Sequence, residues 1–461
     1  MKTNRYFGNR AFYGRMLAVT GPILLQNVIT NFVSLLDNVM VGQVGPEPMS
    51  GVAIVNQLLF VFNLCIFGGL SGPGIFSAQF YGKGDLEGVR HAMRSKLYLG
   101  LGFAVLCGAV LIGFGSDLIM LFLHEGSDAL DLTLTLRCGQ DYLGVMLLQL
   151  LPFAVTQAYS GTLRETGETL LPMKAGFAAV FINLALNYVL IFGKLGAPAL
   201  GVVGAAIATV CARFAECAIV IVWTHTHRQR CPFICGIYRS LRVPRSLLKQ
   251  IAKMTVPLLG NELLWSLGIT TLSQCYSMRG LEVVSASNIA STVTDLFICI
   301  SLSTGTAIAI IIGQLLGAGE PERAVDEDRK LVVFSVLLNV GVGLVMALVA
   351  PLIPRFYNTT EAARAIASRM LLISAAVLPA NAFTTAVYFT LRCGGKTLIT
   401  FLFDSCFNCV ITVPLALILS RCTALPILPM FFCVQMMDVV KCIFGFILLR
   451  SRKWVNNLVG S

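Results

Sequence analysis

Charge is what this chain has least of. Asp, Glu, Lys and Arg make up 12% of its 461 residues, against about 25% in ordinary soluble domains. A soluble fold of this length could not build a polar surface on that fraction. Histidine is equally scarce. His91, His124, His225 and His227 all lie outside the long apolar segments. That argues against an integral-membrane metalloenzyme, which needs imidazoles or several acids clustered within its spans, and no catalytic residues are expected. No Gly-Lys-Ser/Thr accompanies the glycine-rich turns, so no nucleotide site is expected. The 15 cysteines are scattered, mostly through apolar runs, where Cys acts as a small apolar residue and forms no disulfide framework. The start, MKTNRYFGNRAFYGR, is basic but lacks the short apolar core and small-residue cleavage site of a removed leader. The first helix is expected to stay in the protein.

What the chain has instead is apolar length. Its residues are 56% apolar, and runs such as LYLGLGFAVLCGAVLIGF (97–114) and LVVFSVLLNVGVGLVMALVAPLI (331–353) reach the roughly 18 residues that mark a membrane-crossing helix. Hydropathy predicts twelve spans: 14–40, 50–80, 92–115, 138–162, 168–193, 199–224, 249–276, 284–315, 328–353, 363–390, 397–420 and 426–449. An even count puts both termini on one side. With both inside, the inner segments hold 25 Lys and Arg and the outer ones 7. That bias implies a multi-pass protein of the cell (inner) membrane with both termini cytoplasmic. It also accounts for the net charge of +11, so no nucleic-acid partner is expected. The most basic segment, HTHRQRCPFICGIYRSLRVPRSLLK (225–249), joins the sixth and seventh spans, and the 116–136 segment, assigned outside, is acidic. HTHRQRCPFIC (225–235) has two His and two Cys at metal-like spacing. Its basic surroundings repel cations, and no metal site is expected.

The basic segment lies near the middle of the chain, where a repeat would place its boundary. A shift of 235 residues aligns TGPILLQN (20–27) with TVPLLGNE (255–262), and IFSAQFYGKGD (75–85) with IIIGQLLGAGE (310–320). Residues 22–85 and 257–320 share 11 identities in 64 positions, among them Pro22/Pro257, Gln79/Gln314, Gly82/Gly317 and Gly84/Gly319. LRETGET (163–169) matches LRCGGKT (391–397) at a shift of 228. The expected fold is therefore all-α integral membrane, with twelve transmembrane helices in two six-helix bundles related by an internal repeat. The expected division is 1–225 for the N-terminal bundle, 226–248 for a basic cytoplasmic linker and 249–461 for the C-terminal bundle. Six spans per half make the repeats parallel, and such halves commonly enclose a substrate path.

These landmarks resemble the multidrug and toxic compound extrusion (MATE) family, bacterial type. The features that carry the resemblance are the P-x14-D-x4-G pattern of Pro22, Asp37 and Gly42, the GQLLGAGEPERA turn with its counterpart, LRETGET, and NLALNYVLIFG (183–193). The resemblance covers nearly the whole chain. It implies a secondary antiporter exporting organic, often cationic compounds in exchange for Na+ or H+. Lipid-linked saccharide flippases are similar in fold and give the alternative function. A flippase needs Arg and Lys to hold pyrophosphate, whereas the spans here carry acids and amides, with Arg213 and Lys441 the main exceptions.

Two polar stripes could carry the chemistry. At about 100° per residue, Gln26, Asn27, Thr30, Asn31, Ser34, Asp37 and Asn38 fall within roughly 140° of the first helix. Asp37 should then point into a bundle, where it is protonated, hydrogen-bonded or ion-bound. Plain helix packing through amide and hydroxyl bonds is the alternative. On the seventh helix Glu262, Ser266, Thr270, Ser273, Gln274 and Ser277 share a face, with Trp265 beside them. A carboxylate next to an indole could receive an organic cation, or Glu262 could simply bond Asn261 or a serine. Asn183 and Asn187 lie one turn apart on the fifth helix. In MATE relatives with an N-terminal-half cation site, the positions of Asn183, Asn187 and Gln157 are polar, and that of Asn187 is often Asp.

The expected cation set is therefore Asp37, Gln157, Asn183 and Asn187. The expected substrate set is Glu262, Trp265, Asn261 and Ser266, with Asp295 and Asp404 as the remaining buried acids that could partner Glu262. No acid is present in 365–390, only Asn381. Asp438/Lys441 and Arg213/Glu216, each three apart, read as self-neutralising pairs. Pro73, Pro152, Pro379 and Pro414 fall inside spans and can kink them. No cofactor is expected beyond the coupling ion, Na+ or H+. The expected partners are a small organic molecule and the bilayer, with the protein a monomer.

Overall fold

The computed structural model describes residues 6–123, 132–357 and 359–460, apart from the side chains of 33–35, 38 and 39. Among the described residues twelve helical rods follow one another: α1 (Arg10–Gly42), α2 (Pro46–Lys83), α3 (Leu86–Phe122), α4 (Leu132–Glu165), α5 (Leu170–Phe192), α6 (Gly201–Thr226), α7 (Arg245–Ser277), α8 (Leu281–Gly317), α9 (Pro321–Val349), α10 (Glu361–Cys393), α11 (Thr397–Cys422) and α12 (Ile427–Arg450). Each predicted span falls on one rod, in order. Among the described residues ten rods are long and apolar enough to cross a membrane. The other two, α1 and α7, carry the polar stripes and the acids Asp37 and Glu262. His124 and much of the acidic 116–136 segment lie outside the described residues.

The repeat is visible in the turns. Gly84 and Gly319 have φ of +80° and +75°, and Gly167 and Gly395 have φ of +90° and +73°. Glycine reaches that left-handed region without the cost a side chain imposes, which explains why both copies retain it. Two of the predicted proline kinks coincide with breaks in helix type. A 3-10 turn, Leu147–Gln149, precedes Pro152 in α4. Two π turns, Leu402–Cys406 and Asn408–Thr412, precede Pro414 in α11. Proline supplies no N–H to the carbonyl four residues back, so the ladder shifts its spacing there. Pro73 and Pro379 sit inside unbroken α-helix.

The chain divides into two compact units, one of residues 25–77 and 86–251 and the other of 1–24, 78–85 and 252–461. This differs from the predicted division at 225 and 248. The supposed linker is a folded strap on α3 inside the first unit. Arg94, 3% exposed, donates from Nε to Ile237 O at 2.8 Å and from Nη2 to Gly236 O at 3.3 Å. Arg90 Nε donates to Phe233 O at 3.1 Å, and the Tyr98 hydroxyl to Leu241 O. Chain that would otherwise be solvated is thus anchored by its own carbonyls. The apolar core beneath is built from Val55, Phe62, Ile119, Met146 and Ala154.

The second unit owes its extra segments to close backbone contact. A Cβ on Gly82 would lie 1.9 Å from Gln314 O, and one on Gly317 would lie 1.9 Å from Gln79 O. The repeat-related residues therefore pack against each other, and only glycine permits that approach. Gln79, fully buried, donates to Cys393 O at 3.0 Å and Asn456 O at 3.2 Å and accepts from Leu458 N at 2.8 Å. These bonds tie the chain's C-terminal tail to the end of α2. Arg15 at the start of α1 pairs with Glu327 of α9.

Candidate cation and substrate sites

Asp37 on α1 faces α5. Asn187 Nδ2 donates to its Oδ1 at 2.7 Å. Asn183, one turn earlier on α5, can present either end of its amide. With nitrogen toward Asp37 it donates to Oδ1 at 2.8 Å and Oδ2 at 3.2 Å, and its oxygen accepts from the Thr209 hydroxyl at 3.2 Å. With oxygen toward Asp37, its nitrogen donates to Thr209 Oγ1 at 3.2 Å and its Oδ1 accepts from Asn187 Nδ2 at 3.2 Å. In that second arrangement two oxygens face each other and need a proton or a cation between them. Asn187 is 1% exposed, and its Oδ1 accepts no hydrogen bond from the protein. Buried acceptors are nearly always satisfied, so this oxygen marks a place suited to a proton or a hard cation.

Glu262 on α7 lies in a second, denser cluster. The Tyr388 hydroxyl of α10 donates to Glu262 Oε1 at 3.1 Å. Asn261 Nδ2 lies 3.5 Å from Glu262 Oε1 and donates to Asp404 Oδ2 at 3.1 Å. Asp404 Oδ1 accepts from Lys441 Nζ of α12 at 2.6 Å. Asn381 Nδ2 donates to Asp438 Oδ2 at 3.4 Å. Lys441 is therefore paired with Asp404 and not, as the three-residue spacing predicts, with Asp438. The π turn of α11 places Asp404 where Lys441 reaches it. Arg213 and Glu216 do pair along α6, at 3.0 Å.

Two six-helix sequence halves, each with a polar first rod, point to a repeat transporter, and the family match decides it. The MatE family model matches residues 22–189 and 257–418, two copies that begin at the repeat-related Pro22 and Pro257. The chain belongs to the MatE family. It is 26% identical over 330 residues to a probable multidrug resistance protein NorM of Thermotoga maritima, covering 71% of this chain and 68% of that one. It is 26% identical to a probable multidrug resistance protein YoeA of Bacillus subtilis, covering 88% and 87%. A crystal structure of a Vibrio cholerae MATE transporter superposes with a TM-score of 0.86 at 19% identity, covering 96% of this chain and 98% of that one. At that identity the likeness bears on fold alone. As a MatE protein the chain is a membrane transporter and not an enzyme.

For this MatE chain, the structure brings together Asp37, Asn183 and Asn187 of the predicted cation set. Thr209 joins them from α6, unpredicted, because a lone Thr among Ala and Val carries no signal in sequence. Gln157 is half-buried on α4 and makes none of the cluster's hydrogen bonds. Of the stripe on α1, the side chains of Ser34 and Asn38 lie outside the described residues. Of the predicted substrate set, Glu262, Asn261 and Asp404 converge. Trp265, one turn beyond Glu262, is 37% exposed. Ser266 is half-buried beside it, and Asp295 is exposed on α8 without a hydrogen bond to Glu262. Tyr388, Lys441 and Asn381 complete the cluster. A search for acids on α10 passes over Tyr388, whose phenol does the bonding. In the 225–235 segment, His225 stacks on Tyr238 and His227 on Trp223, while Cys231 is buried and Cys235 exposed. Among the described residues no three His, Cys, Asp or Glu are placed so that they could hold a metal ion.

Proposed function

We propose that this protein is a secondary active exporter of organic cationic or amphipathic compounds, driven by inward Na+ or H+ and working by alternating access. It sits in the cell membrane as a monomer with both termini cytoplasmic, as the Lys and Arg bias supports. The relatives' names, multidrug resistance proteins, bring the substrate class to this chain. The observation that carries ion coupling is the Asp37 cluster. One carboxylate, a reversible amide at Asn183 and the unpartnered Asn187 Oδ1 form a set that can hold a proton or Na+. An ionised, unloaded Asp37 takes the nitrogen of Asn183, and a loaded one takes its oxygen. Loading therefore changes what α5 and α6 bond, and an ion that prefers one state shifts the equilibrium toward it. A flippase reading is weaker, because the two cations that lie well away from the ends of the predicted spans, Arg213 and Lys441, are each neutralised by a carboxylate.

The test is uptake of a fluorescent cationic dye by inverted vesicles, with the Na+ and pH gradients imposed independently. Uptake should follow one of the two gradients. Asp37→Asn should lose at least about tenfold, the effect of about 1.4 kcal/mol in ion binding. Unchanged gradient-driven uptake in that variant would remove Asp37 from the mechanism.

A further inference from the structure

We infer that the Glu262 cluster already contains its cation: the Lys441 ammonium occupies the place a coupling Na+ would need, so this cluster takes no coupling ion and exchange runs on the Asp37 site alone. The inference rests on the reading of Asp37 as the coupling site, and concerns the other carboxylates of the protein.

Both oxygens of Asp404 are committed, one to an ammonium and one to an amide nitrogen. Asp404 Oδ1 accepts from Lys441 Nζ at 2.6 Å, and its Oδ2 accepts from Asn261 Nδ2 at 3.1 Å. Asn261 cannot turn its oxygen toward a cation. Its Oδ1 accepts from Ser405 N at 3.3 Å, and its backbone carbonyl accepts from Ser405 Oγ at 2.6 Å, so the amide nitrogen is held toward the carboxylates. Tyr388 likewise presents its O–H to Glu262. Asn261, Tyr388 and Lys441 thus each present a donor to the carboxylates. Na+, a hard cation, needs several oxygen ligands; the Asn261 oxygen is already used, whereas Asn381 Oδ1 accepts nothing from the protein, so what keeps Na+ out is the resident ammonium on Asp404. The contrast with the Asp37 cluster is one of charge: Asp404 is ion-paired with Lys441, whereas among the described residues Asp37 is hydrogen-bonded by a side-chain amide and by no ammonium or guanidinium.

Lys441 is also supported as a resident. Its Nζ lies 5.0 Å from the centre of the Phe403 ring, a cation–π contact, and its side chain is 10% exposed. Asp404 of α11 and Asp438 of its own helix α12 face it, while Glu262 of α7 interacts with Asp404 and with Arg392 and Tyr388 of α10. A tethered ammonium has no entropy of capture and no dependence on external Na+. It compensates Asp404 in every state of the cycle unless the pair is pulled apart.

The experiment is equilibrium binding of radioactive Na+ to the purified full-length protein at pH 8.5. The wild type should bind one Na+ per chain. Asp37→Asn should abolish that binding, while Asp404→Asn and Glu262→Gln leave the stoichiometry at one. Lys441→Gln should raise it to two, and Asp404→Asn in that background should return it to one. Lys441→Arg, which keeps the charge, should match the wild type. If the exporter is proton-driven, the wild type binds no Na+ and Lys441→Gln binds one. The inference then stands, and Na+ coupling at Asp37 fails separately. Loss of wild-type Na+ binding in Asp404→Asn or Glu262→Gln would overturn it, as would a folded Lys441→Gln protein that gains none. Should Lys441→Gln fail to fold, the two carboxylate variants decide.

Discussion

Asn187 shows how one residue can be both legible and incomplete in sequence. Its spacing from Asn183 puts both on one face of α5, and the structure brings both to Asp37. Its amide nitrogen goes to the carboxylate, and its oxygen remains without a protein donor. Thr209 is the part that sequence could not supply, because its role depends on how α6 packs on α5. The hydroxyl bonds Asn183 at 3.2 Å and Ala205 O at 3.1 Å. Thr209→Val removes that hydroxyl at nearly constant volume. A hydrogen bond of this kind contributes about 1 kcal/mol, so the concentration of ion that half-saturates dye uptake should rise about fivefold. Thr209→Ser should restore it. An equal loss in both variants would mean that the methyl group matters and not the hydroxyl. Lys441 illustrates the opposite failure. A partner three residues away on the same helix looks sufficient, yet a residue 37 positions earlier wins. Local spacing sets which pairs are possible, and packing sets which are made.

At the scale of elements, the twelve rods and the repeat were readable because apolar length and glycine spacing are local properties. What the repeated glycines do was not readable, since it depends on two helix ends meeting. A Cβ at Gly82 or Gly317 would meet a backbone carbonyl, which cannot swing aside as a flexible side chain would. Gly82→Ala and Gly317→Ala should each cost about 1–3 kcal/mol through overpacking, seen as a lowered melting temperature in detergent. Gly102→Ala and Gly113→Ala on α3, where nothing lies within 4 Å, should be neutral or slightly stabilising. The charge of the strap on α3 suggests a linker, and Arg94 instead anchors it to that helix. Burial, with a smaller contribution from the nearby Glu168, pushes the Cys231 thiol up to about 11. The thiolate is the nucleophile, so Cys231 should resist alkylation at pH 7.5. Arg94→Ala removes at least two charge-assisted bonds to the strap, worth about 3 kcal/mol together. The Cys231 labelling rate, followed by mass spectrometry, should then rise on the order of a hundredfold. Unchanged labelling would show that the strap is held by its apolar residues instead.

For the whole molecule, a duplicated scaffold carries unduplicated chemistry. The repeat partner of Asp37 is Leu272, which is buried in the apolar core of its unit, and the acid of the second half stands ten residues earlier at Glu262. The asymmetry was visible once the repeat was aligned, because it needs only residue identities. Its consequence needed the structure, which shows one carboxylate bonded by an amide and another ion-paired with Lys441. Two roles then separate. Removing the charge of Glu262 leaves the Asp37 cluster intact, so the gradient should still drive transport. A cationic cargo that uses the Glu262 carboxylate beside Trp265 loses one charge partner, a cost of about 1.4 kcal/mol, or about tenfold. Glu262→Gln should therefore raise KM for a cationic dye about tenfold and leave KM for a neutral amphipathic substrate within about twofold. The gradient dependence of both should match the wild type. Equal changes for the two substrates would assign Glu262 to packing through Tyr388 and Asn261, since that role does not depend on the charge of the cargo.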